Sequence, residues 1–390
     1  MVKEPAIKIH MFDANEGDCF LITAGRIEPV RILVDSGPSS AWPHIAPELI
    51  TSGPLRLSVI THIDADHIGG ALRMFPDSAA PLINTAEVWF NALPQLLSLE
   101  ESISSAGEEF LLSQLFSAPL EEAFSGNRDI SFPQAATLSN SLSCYPELWN
   151  SSFGGGPVSA GAGVISLSGE VAITVLLPTK DGLSAMLKAF ERELRSFISS
   201  SRAKNSPAMQ KAFEFYCRNY RVLTTESVDI AAIAVDKDVE SLLSNAKSTP
   251  DPSVTNASSI AFILESGGRR VLFLGDAPCR DSIAALTQWH EKTGLPLFFD
   301  TIKLPHHGSK QNCLDLLDYI DGSYFLIPTD GKQHGHPSPE TIAKLIARPT
   351  DAARTLVFSR DHAVMRQFDV SEWKAKYNYQ VLCGEEINLT

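Results

Sequence analysis

The stretch Thr61-His62-Ile63-Asp64-Ala65-Asp66-His67-Ile68-Gly69-Gly70 decides how this chain is read. It follows an apolar run, Leu57-Ser58-Val59-Ile60, with the length and character of a buried strand. Four side chains able to bind a metal, His62, Asp64, Asp66 and His67, then fall within six residues. Imidazole and carboxylate at that density are what a divalent ion with nitrogen and oxygen ligands requires. In extended backbone His62 and Asp64 share a face. Asp66 and His67 follow as the chain turns, and Gly69-Gly70 lets it bend into a helix.

Upstream, residues 7–12, 19–22 and 31–34 read as a meander of short strands, with turn residues at 13–18 and 35–38. A helix is expected over 43–50, and a strand over 87–90. Residues 94–125 read as helical, 150–163 as a Gly- and Ser-rich loop, 171–177 as a strand, and 183–246 as two or three amphipathic helices. From 256 the strands resume, at 259–264, 270–274, 301–304 and 324–327, with helices between them and terminal strands expected at 355–358 and 363–368. Strands and helices alternating on both sides of an insertion predict an α/β sandwich. The organisation expected is a first half-core over 1–93, a largely helical insertion or cap over 94–250 that includes core strands at about 164–177, and a second half-core over 251–390.

The bulk numbers narrow the function. With 390 residues, 44% apolar and 20% charged, the chain has the composition of a globular protein with a large core. No apolar run reaches membrane-spanning length and residues 1–5 lack the apolar core of a signal peptide, so no membrane role and a cytoplasmic location are expected. Six scattered cysteines without a Cys-x-x-Cys pair fit reduced thiols, not a disulfide framework or a cysteine–zinc site. A net charge of −14 argues against coating nucleic acid with the whole surface, but leaves room for a local basic groove and for neutralisation by bound metal.

Further clusters end later strands. Asp276, between Gly275 and Ala277, closes one and is read as a carboxylate bridging two metal ions. His306 and His307 precede Gly308-Ser309; adjacent side chains diverge at a strand end, so one of the two is expected to face the site. His334 and His336 share a face in extended backbone. His336, fixed by Pro337, is the better ligand candidate, and His334 is assigned to substrate contact.

In this order the clusters resemble the metallo-β-lactamase fold. His62-x-Asp64-x-Asp66-His67 resembles its His-x-His-x-Asp-His signature with Asp64 in place of the middle histidine. The nuclease-like domain of ComEC-type competence proteins is similar in more detail. It shares the Asp-His-Ile-Gly-Gly run, the Asn-x-x-Ser of 256–259, the Lys-x-Pro-His-His-Gly-Ser of 303–309 and the Gly-His-Pro-x-Pro-Glu of 335–340, and it has a Gly-x-Gly-Asp turn where this chain has Asn15-Glu16-Gly17-Asp18. The competence proteins' membrane channel has no counterpart in this chain. The resemblance implies an αββα sandwich holding two divalent ions, zinc or manganese. It places one on His62, Asp64 and Asp276, with His306 or His307 completing it, and the other on Asp66, His67, Asp276 and His336. Asp35 would be a supporting residue.

The expected activity is hydrolysis of a phosphodiester in nucleic acid or a nucleotide. Asp64 or Asp66 takes a proton from the attacking water, and His306, His307 or His334 assists the leaving group. Residues 186–221 add Arg192, Arg195, Arg218 and Arg221 among Phe197, Phe213, Phe215, Tyr216 and Tyr220, a composition able to grip phosphates and stack bases. Two other readings stand beside it: a hydrolase of a lactone, thioester or amide, and a non-enzymatic protein with a structural metal site whose helical insertion binds a protein partner.

Overall fold

The computed structural model describes residues 4–76, 80–99, 132–197, 238–332, 335–350, 352–384 and 386–390, the side chains of 97, 133 and 191–197 excepted. Strands β1 (Ile7–Met11), β2 (Phe20–Ala24), β3 (Val30–Val34), β4 (Leu57–Val59), β5 (Val88–Trp89) and the last strand, β14 (Glu386–Leu389), form one sheet in the order β14-β1-β2-β3-β4-β5. It is antiparallel from β14 to β3 and parallel from β3 to β5. The second sheet comprises β6 (Val164–Ser166), β7 (Val171–Leu177), β8 (Ala261–Ser266), β9 (Arg269–Phe273), β10 (Phe298–Lys303), β11 (Asp321–Ile327), β12 (Arg354–Phe358) and β13 (Tyr379–Cys383), side by side in chain order. It is antiparallel from β6 to β9 and parallel from β9 to β13.

Period-two alternation makes the two sheets stack. Ile7, Ile9 and Met11 of β1 and Val171, Ile173 and Val175 of β7 point to the same interior, where they meet Phe20, Phe262, Phe273 and Trp89. Strands β11 and β12 are buried on both faces. Leu326 and Val357 face the partner sheet, whereas Phe325, Ile327, Leu356 and Phe358 face the outer helices, as parallel strands under helices require. Helix Trp42–Ser52 covers the first sheet, and helices Cys279–Thr293 and Pro339–Ala347 cover the second. The result is four layers, helix–sheet–sheet–helix, as the sequence predicts.

Within 94–250, helices Phe132–Ser143 and Lys180–Phe197 share the buried cluster of Trp42 and Leu49, so they form part of the outer layer on the first sheet. Helix Val239–Asn245 packs on the second. One strand expectation fails. Ala363–Phe368 is a helix, begun by His362, whose side chain accepts a hydrogen bond from Met365 N. Met365 and Phe368 are buried at helical spacing, and six residues are too few for their alternation to specify a strand. The strands that close the chain are β13 and β14, and β14 crosses back to pair with β1. Among the described residues no helix is long and apolar enough to cross a membrane.

A candidate metal centre

The parallel strands end together, and their ends bear the polar clusters. Beyond β4 the chain bends at Ile63, is extended again at Asp64, and then turns into the short helix Ala65–Ile68 that carries Asp66 and His67. The turn at Gly17 packs directly on it. A Cβ on Gly17 would overlap the Asp66 carbonyl, and Asp18 N donates to that carbonyl at 3.3 Å. Beyond β9 come Gly275 and Asp276, and beyond β10 comes Pro305–Gly308.

In this last turn the structure corrects the sequence reading. His306 and His307 do not diverge as they would in a strand. Both adopt left-handed backbone, φ 47° and 50°, and both turn their rings toward Asp276. Two consecutive non-glycine residues in that region are strained, and such strain is found where a site over-determines the geometry.

Four imidazoles have their Nδ1 tethered, and in each case the partner fixes the proton. His67 Nδ1 lies 2.8 Å from Asp35 Oδ2 and His307 Nδ1 2.7 Å from the Pro328 carbonyl, both pure acceptors, so each Nδ1 donates. His306 Nδ1 lies 3.1 Å from Asn312 Oδ1. That oxygen is identified by its amide partner, since Asn312 Nδ2 donates to Asp251 Oδ2 and to the carbonyls of Asp276 and Ala277. His62 Nδ1 lies 3.0 Å from Thr61 Oγ1, whose own proton goes to Asp35 Oδ2 at 2.8 Å. Every Nε2 is therefore the nitrogen left to bind a ligand.

These nitrogens gather on one carboxylate. His67, His306 and His307 bring Nε2 to 3.5, 3.9 and 3.7 Å from Asp276 Oδ2. Ligand atoms of His62, His67 and Asp276 all lie within 4.8 Å of one another. Asp64 Oδ2 is 3.5 Å from His62 Nε2, and Asp66 Oδ2 is 3.6 Å from His67 Nε2 and 3.1 Å from His307 Nε2. His62 Nε2, His67 Nε2 and Asp64 Oδ1 are buried without a hydrogen-bond partner among the described residues. Buried, aimed and unsatisfied polar atoms are costly unless something binds them, and a divalent cation fits this donor set.

The electrostatics agree. Burial opposes charge throughout, but at His67 it is outweighed by Asp66, Asp276, Asp35 and Asp18, which hold the imidazole well above its usual pKa. The same contest at His307, with Asp276 and Asp18 foremost, raises it to about 10. Burial raises Asp276, yet Lys303 and the imidazoles of His67, His307 and His306 bring it well below the carboxylate range. A pocket that holds protons so tightly on His67 and His307 is short of positive charge, which a metal would supply.

Asp18, His67 and His307 form a second group close enough for an ion. Chemically it is a support layer. The Nδ1 atoms facing Asp18 already donate to Asp35 and Pro328, and Asp18 Oδ2 is held by Lys303 Nζ at 2.5 Å.

The predicted residues His62, Asp64, Asp66, His67, Asp276, His306 and His307 are thus brought together, with Asp35 behind His67. His336 is set against His306, ring centroids 4.8 Å apart. His334, Arg218 and Arg221 lie outside the described residues, and Arg192 and Arg195 lie among the side chains that are not described. Sequence reasoning assigned no role to Asp18, Lys303, Asn312, Asp251 or Thr255, whose Oγ1 donates to Asp64 Oδ2 at 3.2 Å. Lys303 left a signal, a lone cation at the end of an apolar strand.

Residues 14–141 match the model of the Metallo-beta-lactamase superfamily, a span that contains Asp18, Asp35 and the whole His/Asp cluster. No curated protein matches the chain. The two stacked sheets, the helices outside them and this match give the chain a metallo-β-lactamase fold. The matched superfamily suggests a metal-dependent hydrolase, and the His/Asp groups of the site could hold the metal.

Proposed function

We propose that the chain is a two-metal phosphodiesterase acting on nucleic acid or a nucleotide. The observation that carries this reading is the set of imidazole Nε2 atoms around Asp276, with Asp64 beside His62 and Asp66 beside His67 and His307. One carboxylate shared by two sets of donors is the arrangement suited to in-line displacement at phosphorus. His62, Asp64, Asp276 and His306 would hold one ion, and Asp66, His67, Asp276 and His307 the other. Zinc or manganese held there would supply an acidified water and positive charge for the phosphoryl oxygens. Asp64 and Asp66, whose side chains are 15% and 27% exposed while His62 and His67 are sealed, face the opening and accept the proton of the attacking water. His334 contacts substrate. Arg192, Arg195, Arg218 and Arg221 grip flanking phosphates, with the aromatic residues among them stacking bases.

The test is metal content together with cleavage of single-stranded DNA, double-stranded DNA, RNA and cyclic nucleotides, with lactone, thioester and amide substrates alongside. Phosphodiester cleavage lost in Asp66→Ala is expected. Truncating the four arginines together should abolish it while metal content stays. Turnover of a lactone, thioester or amide alone would replace this reading with that of another hydrolase.

A further inference from the structure

Lys303 is fully buried at the end of β10, among the residues that would hold metal. Its ammonium has three protons and three acceptors: Asp18 Oδ2 at 2.5 Å, the Gly275 carbonyl at 2.9 Å and Asp276 Oδ1 at 3.2 Å. With every donor engaged and no path to solvent, it has no proton to give a substrate and no lone pair to attack one. It divides Asp276 instead. Oδ1 is turned to the ammonium, while Oδ2 is the oxygen nearest His67, His306 and His307. The backbone of the same residue is also held, Asp276 N donating to Ser259 Oγ at 3.2 Å and its carbonyl accepting from Asn312 Nδ2 at 3.1 Å. The carboxylate therefore has little freedom to rotate.

We propose that Lys303 is a positioning residue that restricts Asp276 to a single metal-facing oxygen, so that a pair of ions bound at the centre would be held close together. A carboxylate free of the ammonium would chelate one ion through both oxygens, and the pair would come apart. Asp18 is the counter-charge that keeps Lys303 in place from the far side. The inference rests on the centre holding metal, not on which bond it hydrolyses.

The experiment loads wild type, Lys303→Met and the charge-balanced double variant Asp18→Asn/Lys303→Met with manganese. It reads the electron paramagnetic resonance spectrum, the number of ions bound and their dissociation constants. Wild type is expected to give the multiline signal of a coupled pair. Lys303→Met should give uncoupled manganese, with the second ion bound at least about tenfold more weakly, the scale seen when residues that orient ligands are removed. The double variant, which leaves no uncompensated buried carboxylate at residue 18, should fold and show the same loss of coupling. A coupled spectrum in either variant, even with a lowered melting temperature, makes Lys303 merely structural and overturns the proposal. Absence of any bound metal in wild type overturns the metal reading and this proposal together.

Discussion

Asp35 sits at φ 55° at the end of β3 with both oxygens engaged, Oδ1 by Thr61 N at 2.7 Å and Oδ2 by Thr61 Oγ1 and His67 Nδ1 at 2.8 Å each. All three partners donate, so the position needs a group that only accepts. Asparagine tolerates the left-handed backbone, but its amide N–H would face a donor. His67 would then have to accept at Nδ1 and carry its proton on Nε2, where a metal should bind. Asp35→Asn is therefore expected to keep cooperative unfolding and lose about 10–100-fold in metal affinity. Titration against a chelator checks this, and unchanged affinity would remove Asp35 from the site. Asp35 was legible because Val34-Asp35-Ser36-Gly37 resembles the first motif of the metallo-β-lactamase fold. Asp18 and Lys303 sit in the motifs of 15–18 and 303–309, but their pairing across 285 residues is something no local pattern states.

At the scale of one element, Pro305–Gly308 shows what strand-based reasoning misses. A strand alternates its side chains, so only one of two adjacent histidines could serve. Three successive left-handed residues, His306, His307 and Gly308 at 87°, replace that alternation with a tight curl that aims both rings inward. Glycine after the pair signals a turn, yet nothing in the sequence states that the histidines share its backbone sign. The consequence is a different ligand count. His306→Ala and His307→Ala should each bind one divalent ion fewer than wild type, whereas His336→Ala should keep the full complement. Metal analysis of the purified variants decides it. Loss of an ion in His336→Ala alone would return the assignment to the one the sequence suggested.

The whole molecule was legible in its layers because each half repeats one physical pattern, an apolar strand ending in a polar, Gly-rich cluster. The last sixty residues were harder, since short segments such as 363–368 satisfy both periods and only the tertiary frame selects one. His362 makes that selection pH-sensitive. The residue is 6% exposed, Nδ1 accepts from Met365 N at 3.4 Å, and Nε2 has no hydrogen-bond partner among the described residues. Burial lowers its pKa to about 4, against the opposing pull of Asp330 and Asp361, with Arg366 adding to the decrease. In the unfolded chain the ring titrates near the ordinary imidazole value of about 6.5. Between those values the unfolded state binds the extra proton, so stability is complete above about pH 6.5 and is lost as pH falls toward 4, by at most about 3 kcal/mol. His67 and His307 at the metal centre have raised values and the opposite sign, so the raw pH curve mixes the two. Comparison with His362→Asn, which keeps a helix-capping oxygen and cannot titrate, separates them. Urea unfolding of both proteins in chelator should give a wild-type-minus-variant difference that shrinks steadily from pH 7 to pH 4.5. A difference that stays flat over that range would show that the buried ring is not what acid attacks.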